Sequence, residues 1–474
     1  MSETVPSDYQ PLFVRKYAWI FLGRILPLGA LFLITVIYSR QLSYTDYGLF
    51  QSVWMYANII NVIISFGFAS VIFSTNYSFL VFFLQKNRRF IASCYLVLWT
   101  IGLTAFYVLA RNFSAGLKIW IILFMVIQNI ITVIETLLVK RGGEKMSFVI
   151  NAGYSLLFFG CHLYVLVTRY SLEHLIAAIC VLSLVKMIVL LALRHEPAVE
   201  QKVADDPQFG QHWAFLGLNE IFGVLSKWVD KVFLLYLLTA SDFAIFFNGS
   251  FEIPLFGLLI SVAGSFMLIE FSANLDLKTK IVSLFRESFT MLSAIVFPLF
   301  FFLFFFRNEL FAFVFRHRYG DSVPIFAVSI FILPLRINNY SVILQCFSQG
   351  KKIMIGSLID LLIALVLMAA LYPVMGSRGV VLSIVISTWC QVGYYLWCSA
   401  KVLKIRVIEL LPWQKLLARF LLLLGLYAVL AVVVRGVSLE WKLFAGTCFT
   451  TIIVTAGVWT YLKTFFKKNY EPVP

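Results

Sequence analysis

The chain has 474 residues, of which 61% are hydrophobic and only 13% are Asp, Glu, Lys or Arg, and its net charge is +15. This charged fraction is about half of that in a typical soluble domain and could not cover a water-facing surface, which excludes a soluble globular protein. Apolar segments of roughly the 20 residues needed to cross a bilayer recur throughout, and backbone groups in lipid must bond internally, so we predict an all-α polytopic membrane protein.

The apolar segments predict 14 transmembrane helices joined by short connections. The predicted spans lie near 17–39, 48–75, 90–110, 118–139, 147–168, 175–193, 214–238, 244–269, 285–306, 324–346, 354–373, 380–400, 416–434 and 443–462. The predicted domains are an N-terminal lobe of six spans (1–193), a cytoplasmic linker (194–213), a C-terminal lobe of six spans (214–400) and two further spans with a cytoplasmic tail (401–474). The first ten residues carry no cationic segment with a cleavage site, so we expect the first span to be an uncleaved signal-anchor.

The distribution of Lys and Arg predicts the orientation of these spans. With the N-terminus inside, the cytoplasmic segments hold about twice as many of these residues as the outer loops, and such residues are retained in the cytoplasm. Clusters at 86–89, 140–145 and 401–406 contribute to this difference. Both termini are therefore predicted to be cytoplasmic. The positive net charge reflects this orientation, and no nucleic-acid partner is expected.

Two sequence matches predict an internal duplication. The segment 19–23 (WIFLG) matches 213–217 (WAFLG) at an offset of 194 residues, and 45–50 (TDYGLF) matches 241–246 (SDFAIF) at an offset of 196. Six spans separate the two copies, so both copies face the same way. This pattern predicts a parallel repeat of two six-helix lobes, with the last two spans outside it.

Three short motifs connect the chain to a known superfamily. They are 23–27 (GRILP) running into 39–50 (SRQLSYTDYGLF), 65–70 (SFGFAS) at the end of span 2, and 372–379 (YPVMGSRG) between spans 11 and 12. Their placement resembles the multidrug/oligosaccharidyl-lipid/polysaccharide (MOP) flippase superfamily, and within it the Wzx-type O-antigen and polysaccharide flippases. The resemblance implies a bacterial inner membrane, two six-helix lobes around a central cavity with alternating access, and an undecaprenyl-pyrophosphate oligosaccharide as cargo. It also implies a groove at the last two spans for the polyprenyl tail.

Ionisable residues inside spans are costly unless they are paired or face water, so each one marks a candidate site. The basic ones are Arg24, Lys186, Lys227, Lys231, Arg336 and Arg419, and the acidic ones are Glu135, Glu220, Asp230, Glu252 and Asp360. Glu220, Lys227 and Lys231 are spaced by 7 and 4, which puts them on one face of span 7, with Asp230 on the flank. We interpret this face as lining a solvated cavity. The alternative is a helix held to its neighbours by ion pairs.

The predicted substrate-binding cavity combines groups that suit a pyrophosphate. Its residues are Arg24, Lys186, Glu220, Lys227, Lys231 and Arg336. Arg24 lies beside Pro27 in a helix that can bend, and its guanidinium is a planar donor fork suited to phosphate oxygens. Arg24 and Lys186 could instead extend to the cytoplasmic interface, and Arg419 is interpreted as an interfacial anchor.

Three carboxylates are candidates for a coupling Na⁺ or H⁺ site: Asp230, Asp360 and Glu135. Span 12 offers hydroxyl oxygens near Asp360, and these belong to Ser383, Ser387 and Thr388. The resemblance adds that a related lipid II flippase family places a sodium ion between spans 7, 11 and 12. The alternative is that each carboxylate pairs with a lysine. No other cofactor and no metal cluster is expected.

These features favour a flippase that moves an undecaprenyl-pyrophosphate-linked oligosaccharide from the inner to the outer leaflet by alternating access through a cationic central cavity. The alternatives are a multidrug or organic-cation exporter of the same superfamily and a membrane-embedded polysaccharide polymerase or ligase. An exporter would need an acidic cavity. An enzyme would need a larger outer loop than Arg307–Val323, and the sequence has no nucleophile–base, P-loop or metal-ligand motif. We expect a non-enzyme whose partners are the lipid-linked oligosaccharide, membrane lipids, and the polysaccharide polymerase and chain-length machinery.

Overall fold

A computed structural model describes residues 9–470 with gaps. The gaps lie at 75–76, 112, 170, 194–208, 251–256, 258–263, 265–266, 269–270 and 272–276, and the side chains at 9–21, 24, 73–74, 77–78, 212, 462 and 464–470 are also outside the described part. Every regular element in the described residues is a helix. The contacts divide the chain into two compact units, Met1–Trp228 and Val229–Pro474.

The first unit contains eight complete helices among the described residues. They are α1 (Tyr9–Gln41), α2 (Tyr44–Ser65), α3 (Phe68–Ser74), α4 (Tyr77–Lys86), α5 (Arg88–Leu109), α6 (Ala115–Lys140), α7 (Glu144–Thr168) and α8 (Leu172–Ala192). Helix α1 packs along α7, α6 packs along α8, and α7 and α8 also touch. The next helix, α9 (Phe209–Leu235), begins in the first unit and ends in the second.

The second unit contains the remaining described helices. They are α10 (Ala240–Gly249), α11 (Lys278–Phe305), α12 (Arg307–Phe315), α13 (Val323–Ser329), α14 (Val342–Cys346), α15 (Gly350–Met375), α16 (Ser377–Leu403), α17 (Val407–Leu410), α18 (Trp413–Val433) and α19 (Leu439–Tyr470). Helices α15 and α16 form a long hairpin, and α18 and α19 both pack on α11.

The prediction of a polytopic all-α chain is confirmed. Ten helices of the described part are long and apolar enough to cross a membrane, and each coincides with a predicted span. The other four predicted spans fall on α1, on α9, on the segment that begins with α10, and on the region 323–346. Helix α9 differs from these ten in carrying four charged side chains, which belong to Glu220, Lys227, Asp230 and Lys231.

The longer of the two repeated motifs forms the same local structure in both units. Ser43 caps α2 by accepting a hydrogen bond from the Asp46 N–H, and its hydroxyl donates to the Asp46 carboxylate. Thr239 caps α10 and bonds to Asp242 in the same two ways. A side chain that satisfies an otherwise unpaired N–H fixes where a helix begins. The sequence match at an offset of 196 residues is therefore also a match of helix starts.

The division between the two compact units falls inside α9, between Trp228 and Val229, and the linker at 194–213 stays a prediction. The first turns of α9 carry Phe209 and Trp213, which pack in an apolar cluster with Val71 and Leu80 of the first unit. The last turn carries Leu234, which packs in a cluster of the second unit. The structure thus assigns the two ends of one helix to two cores. The residues 194–208 lie outside the described part.

The second predicted span, 48–75, is broken in the structure. Helix α2 ends at Ser65. The next two residues, Phe66 and Gly67, have φ values of +43° and +70° before α3 begins. A Cβ at Gly67 would lie 2.8 Å from Cα of Gly217 on α9, so both conformation and close approach require glycine here. The indole N–H of Trp213 donates to the carbonyl of Phe66 at 3.0 Å and satisfies one of the groups that the break exposes.

The tenth predicted span, 324–346, is also broken. After α13 the chain tightens into a 3₁₀ segment, Ile330–Leu335, which contains Pro334. Regular helix resumes only at Val342. Pro334 has no backbone N–H and so cannot continue a regular helix. Beyond the 3₁₀ segment, the side-chain amide of Asn338 donates to the hydroxyl of Ser288 on α11 at 2.6 Å.

The turn between α15 and α16 explains one sequence motif. Gly376 has a φ of +58°, and a Cβ at Gly379 would lie 2.5 Å from the carbonyl oxygen of Leu371. Pro373 lies in the last turn of α15, where the helix ends. The spacing of proline and two glycines at 373, 376 and 379 is therefore what a tight helical hairpin requires.

The first of the two C-terminal helices, α18, packs on α11 through aromatic rings. Phe420 of α18 contacts Phe297, Phe300 and Phe301 of α11 with ring centroids 4.8 to 6.0 Å apart. The three α11 rings are almost fully buried. Arg419, predicted as an interfacial anchor, instead donates to the carbonyl of Thr290 and to the Ser293 hydroxyl on α11.

Candidate functional site

An ion pair lies within the helix bundle of the first unit. Nζ of Lys186 on α8 is 3.1 Å from Oε2 of Glu135 on α6, and the two side chains are 9% and 23% exposed. Ionised groups at this depth are costly unless each has a partner of opposite charge. The structure thus joins a residue predicted for the cavity to one predicted for a coupling ion.

Helix α7 supplies a second partner to each member of this pair. The amide oxygen Oδ1 of Asn151 accepts from Lys186 at 2.7 Å, and the amide nitrogen of the same side chain donates to Glu135. Ser147, one turn earlier, donates to Oε1 of Glu135 at 2.8 Å. The ammonium and the carboxylate are therefore both fixed by hydrogen bonds from a third helix.

The next turn of α7 extends the polar network. Nζ of Lys186 lies 4.9 Å from the ring centroid of Tyr154, and the Tyr154 hydroxyl is 3.0 Å from the hydroxyl of Ser183. Gln128 of α6 donates to both hydroxyls. Ser147, Asn151 and Tyr154 were not predicted from the sequence, although polar residues at a helical spacing in a predicted span were a visible signal.

Glu220 on α9 lies at the break between α2 and α3. Ser70 of α3 donates to its carboxylate, and the two residues are partly buried. Tyr95 of α5 donates to the carbonyl of Ser65 at 3.1 Å, so a second group exposed by the break is also satisfied. The carboxylate of Glu220 thus takes part in holding the broken span against α9.

The second unit contains the adjacent pair Asp230 and Lys231 on α9. Nζ of Lys231 lies 3.0 and 3.3 Å from the two carboxylate oxygens of Asp230, and the side chains are 8% and 6% exposed for Lys231 and Asp230. The ring of Phe247 on α10 lies 6.0 Å from the same ammonium. The pair forms within one helix, so it does not link two helices as Lys186 and Glu135 do.

Lys227 lies one turn before Lys231 and is exposed. Its ammonium is 5.9 Å from the ring of Trp228. The predicted face of α9 therefore consists of an exposed lysine, a buried lysine that is paired with Asp230, and a glutamate bonded to Ser70.

Asp360 on α15 is 8% exposed. The hydroxyls of Ser383 and Ser387 on α16 are fully buried and donate to carbonyls of their own helix at 2.8 and 3.0 Å. This leaves the lone pairs of those two oxygens as the groups that could ligate a cation. One turn before Asp360, Ser357 is 3.3 Å from the hydroxyl of Tyr395.

The remaining candidates are placed as follows. Arg336 ends the 3₁₀ segment, is half-buried, and donates its N–H to Ile332 and Leu333. The side chain of Arg24 and the whole of Glu252 lie outside the described residues. Among the residues that the structure describes, no cluster of three or more His, Cys, Asp or Glu side chains is suited to hold a metal ion.

The fold was compared with solved structures. An inward closed conformation of the lipid II flippase MurJ superposes with a TM-score of 0.67 at 14% identity, covering 97% of this chain and 100% of that one. The chain has the fold of a MOP superfamily transporter. A MOP superfamily transporter from Pyrococcus furiosus covers 83% of this chain and 96% of its own, with a TM-score of 0.57 at 15% identity.

An outward-facing MATE family transporter of the MOP superfamily gives a TM-score of 0.59 at 16% identity, covering 82% of this chain and 96% of its own. No protein-family model and no curated protein sequence matches the chain. The likeness therefore lies in the fold and does not extend to the Wzx type.

Proposed function

We propose that the chain is a flippase that moves an undecaprenyl-pyrophosphate-linked oligosaccharide from the inner to the outer leaflet of a bacterial inner membrane. The observation that carries the proposal is the likeness to a lipid II flippase over almost the whole of both chains. A lipid II flippase acts on a lipid-linked head group, and the cargo proposed here has the same construction.

The extent of the match favours this cargo over a small molecule. A match to 97% of the chain must include most of α18 and α19, whereas the MATE matches leave out nearly a fifth of it. Both helices pack on α11, and α18 does so through Phe420 and Tyr427, whose rings contact Phe300 and Phe301. We propose that α18 and α19 contact the lipid tail, which must remain in hydrocarbon while the head group crosses.

The charges of α9 suit the other end of the cargo. A pyrophosphate that crosses about 30 Å of hydrocarbon loses its hydration and needs replacement donors. Lys227 is exposed and Lys231 follows one turn later, so α9 offers two ammonium groups to an anion. Charge-assisted bonds to phosphate oxygens are among the strongest available in proteins. We propose that these lysines line a cationic, water-filled cavity together with Arg24 and Arg336.

We assign the coupling ion, Na⁺ or H⁺, to the second unit. Asp230 and Asp360 are both buried carboxylates there, and a buried carboxylate gains most from a cation. When the pyrophosphate attracts Lys231, Asp230 loses part of its neutralising partner. A cation that then binds Asp230 would link transport of the lipid to movement of the ion.

An exporter of organic cations is the second candidate, because MATE transporters share the fold over most of their length. A cationic drug needs carboxylates that are open to it. Glu135 and Asp230 are instead paired with Lys186 and Lys231 at 3.1 and 3.0 Å, so each of these carboxylates already has a cationic partner in the chain.

Deletion and complementation test the proposal. Loss of the gene should leave the lipid-linked oligosaccharide on the inner leaflet and abolish surface polysaccharide, and the wild-type chain should restore both. Lys231→Met should fail to restore them. The control is Lys118→Met, since the Lys118 ammonium donates to the carbonyl of Tyr107 at 3.3 Å and lies outside the proposed site.

The result also separates the two candidates. Surface polysaccharide that is unchanged in the deletion strain, together with a new sensitivity to organic cations, would replace the flippase by the exporter. Equal failure of Lys231→Met and Lys118→Met at normal protein levels would show that the loss is not specific to α9.

A further inference from the structure

The ammonium of Lys186 has the surroundings of a bound monovalent cation. Carboxylate oxygen Oε2 of Glu135 lies at 3.1 Å, amide oxygen Oδ1 of Asn151 at 2.7 Å, and the ring face of Tyr154 at 4.9 Å. A carboxylate, an amide oxygen and an aromatic face are groups that attract a small cation. These groups come from α6 and α7, while the ammonium comes from α8.

We call the three groups around this ammonium, from Glu135, Asn151 and Tyr154, the cation cage. They are held in place by contacts that do not involve Lys186. Ser147 donates to the second carboxylate oxygen of Glu135 at 2.8 Å, and Asn151 donates to the same oxygen. The Tyr154 hydroxyl is held by Ser183 and Gln128. Without the lysine, an oriented carboxylate and amide oxygen would remain side by side, and Glu135 is still 23% exposed.

We infer that Lys186 is the resident cation of this cage: its tethered ammonium fills a cation site that would otherwise take a free monovalent cation. The positive charge at this site in the first unit is therefore part of the protein chain, and no ion is exchanged at this site during transport. This inference rests on the proposed function, because it decides which unit holds the coupling ion. Glu135 then neutralises Lys186, and the exchangeable ion belongs to the second unit.

The contrast with the second unit supports this assignment. Asp230 and Lys231 are consecutive residues of one helix. Their ion pair therefore does not connect two helices, and it can break without moving one helix away from another. Lys186 instead links α8 to α6 and α7 through two oxygen contacts. The Lys186 ammonium is therefore a permanent cation that stabilises the packing of α6, α7 and α8.

Chemical rescue of the purified full-length protein tests the cage. Lys186→Ala removes three carbons and the ammonium, which together correspond to propylammonium. The melting temperature should fall by roughly 5 °C or more, as expected when a buried carboxylate loses its partner. Propylammonium should recover much of that loss, Na⁺ should recover part of it, and the neutral analogue 1-propanol should recover none.

Two comparisons make this outcome specific. Propylammonium should not stabilise the wild-type protein, whose cage is filled, or the double variant Glu135→Gln/Lys186→Ala, whose cage has lost its charge. Rescue by 1-propanol equal to that by propylammonium, or rescue that persists in the double variant, would overturn the inference. So would an absence of rescue in a folded Lys186→Ala protein.

A second pair of variants decides the question if Lys186→Ala does not fold. Lys186→Met keeps the length of the side chain and removes its charge, and it should melt below Glu135→Gln/Lys186→Met. The opposite order would show that no charge pairing is at stake. These melting measurements need no cargo, so the cage can fail while flipping is still observed, and flipping can fail while the cage is confirmed.

Discussion

Replacing Lys231 by methionine tests whether this lysine binds the cargo or only neutralises Asp230. The two side chains are 8% and 6% exposed and lie 3.0 Å apart, so the values for a buried ion pair apply. Removal of one partner from such a pair costs about 3–5 kcal/mol of stability, because the other charge stays buried. Replacement of both partners by neutral groups of similar shape is close to neutral.

Stability and transport should therefore respond differently. We expect Lys231→Met to lower the melting temperature, and Asp230→Asn/Lys231→Met to recover most of that loss. A charge-assisted hydrogen bond to the pyrophosphate is worth about 1.5–3 kcal/mol, so flipping should fall roughly 10- to 100-fold in Lys231→Met. It should stay low in the double variant, since the cargo still lacks its ammonium. Lys231→Arg should keep most of the activity, because it keeps the charge.

The assays are thermal unfolding of the purified variants and complementation of surface polysaccharide in a deletion strain, with protein levels compared by blot. If Asp230→Asn/Lys231→Met regains transport together with stability, the lysine serves only the ion pair. The proposed contact with the pyrophosphate would then be wrong.

Two further changes probe the fold and its orientation. Gly67→Ala should lower the melting temperature, because its Cβ would lie 2.8 Å from Cα of Gly217 and its φ is +70°. The control is Gly153→Ala, which should leave the melting temperature unchanged or raise it slightly, because no heavy atom lies within 4 Å of the new Cβ. Equal losses in both variants would refute the close contact. In a variant without the native cysteines, Asp321→Cys, at an exposed position in the predicted outer loop, should react with an impermeant thiol reagent in intact cells. Lys145→Cys should react only after lysis. The reverse pattern would show that the proposed orientation is inverted.

The sequence predicted the helices well where one local pattern determines them. Long apolar runs identify the spans, and the proline and glycines at 373–379 identify a tight hairpin. The two matching helix starts were visible as a repeat, because a capping residue and an acidic residue three positions later recur at both sites. These features depend on neighbours within a few residues, which a single sequence displays.

Features that depend on distant neighbours were not predicted. Nothing near Gly67 shows that Gly217 will approach it, so span 2 was predicted as one helix. Pairing of Glu135 with a lysine was left as an alternative, but the sequence did not show that this lysine would be Lys186, 51 residues later. The bonds of Arg419 to α11 were likewise not predicted. Pairing between helices is set by packing register, and periodicity alone does not specify it.

The most direct test of the central claim is transbilayer movement in vesicles that contain the purified protein. A fluorescent polyprenyl-pyrophosphate oligosaccharide is placed in both leaflets, and an impermeant quencher is added outside. We expect wild-type vesicles to deliver the inner-leaflet label to the quencher much faster than protein-free vesicles, and Lys231→Met vesicles to do so slowly. Movement of the label at the protein-free rate, by a folded protein supplied with Na⁺ and proton gradients, would contradict the proposal that this chain is a lipid-linked oligosaccharide flippase.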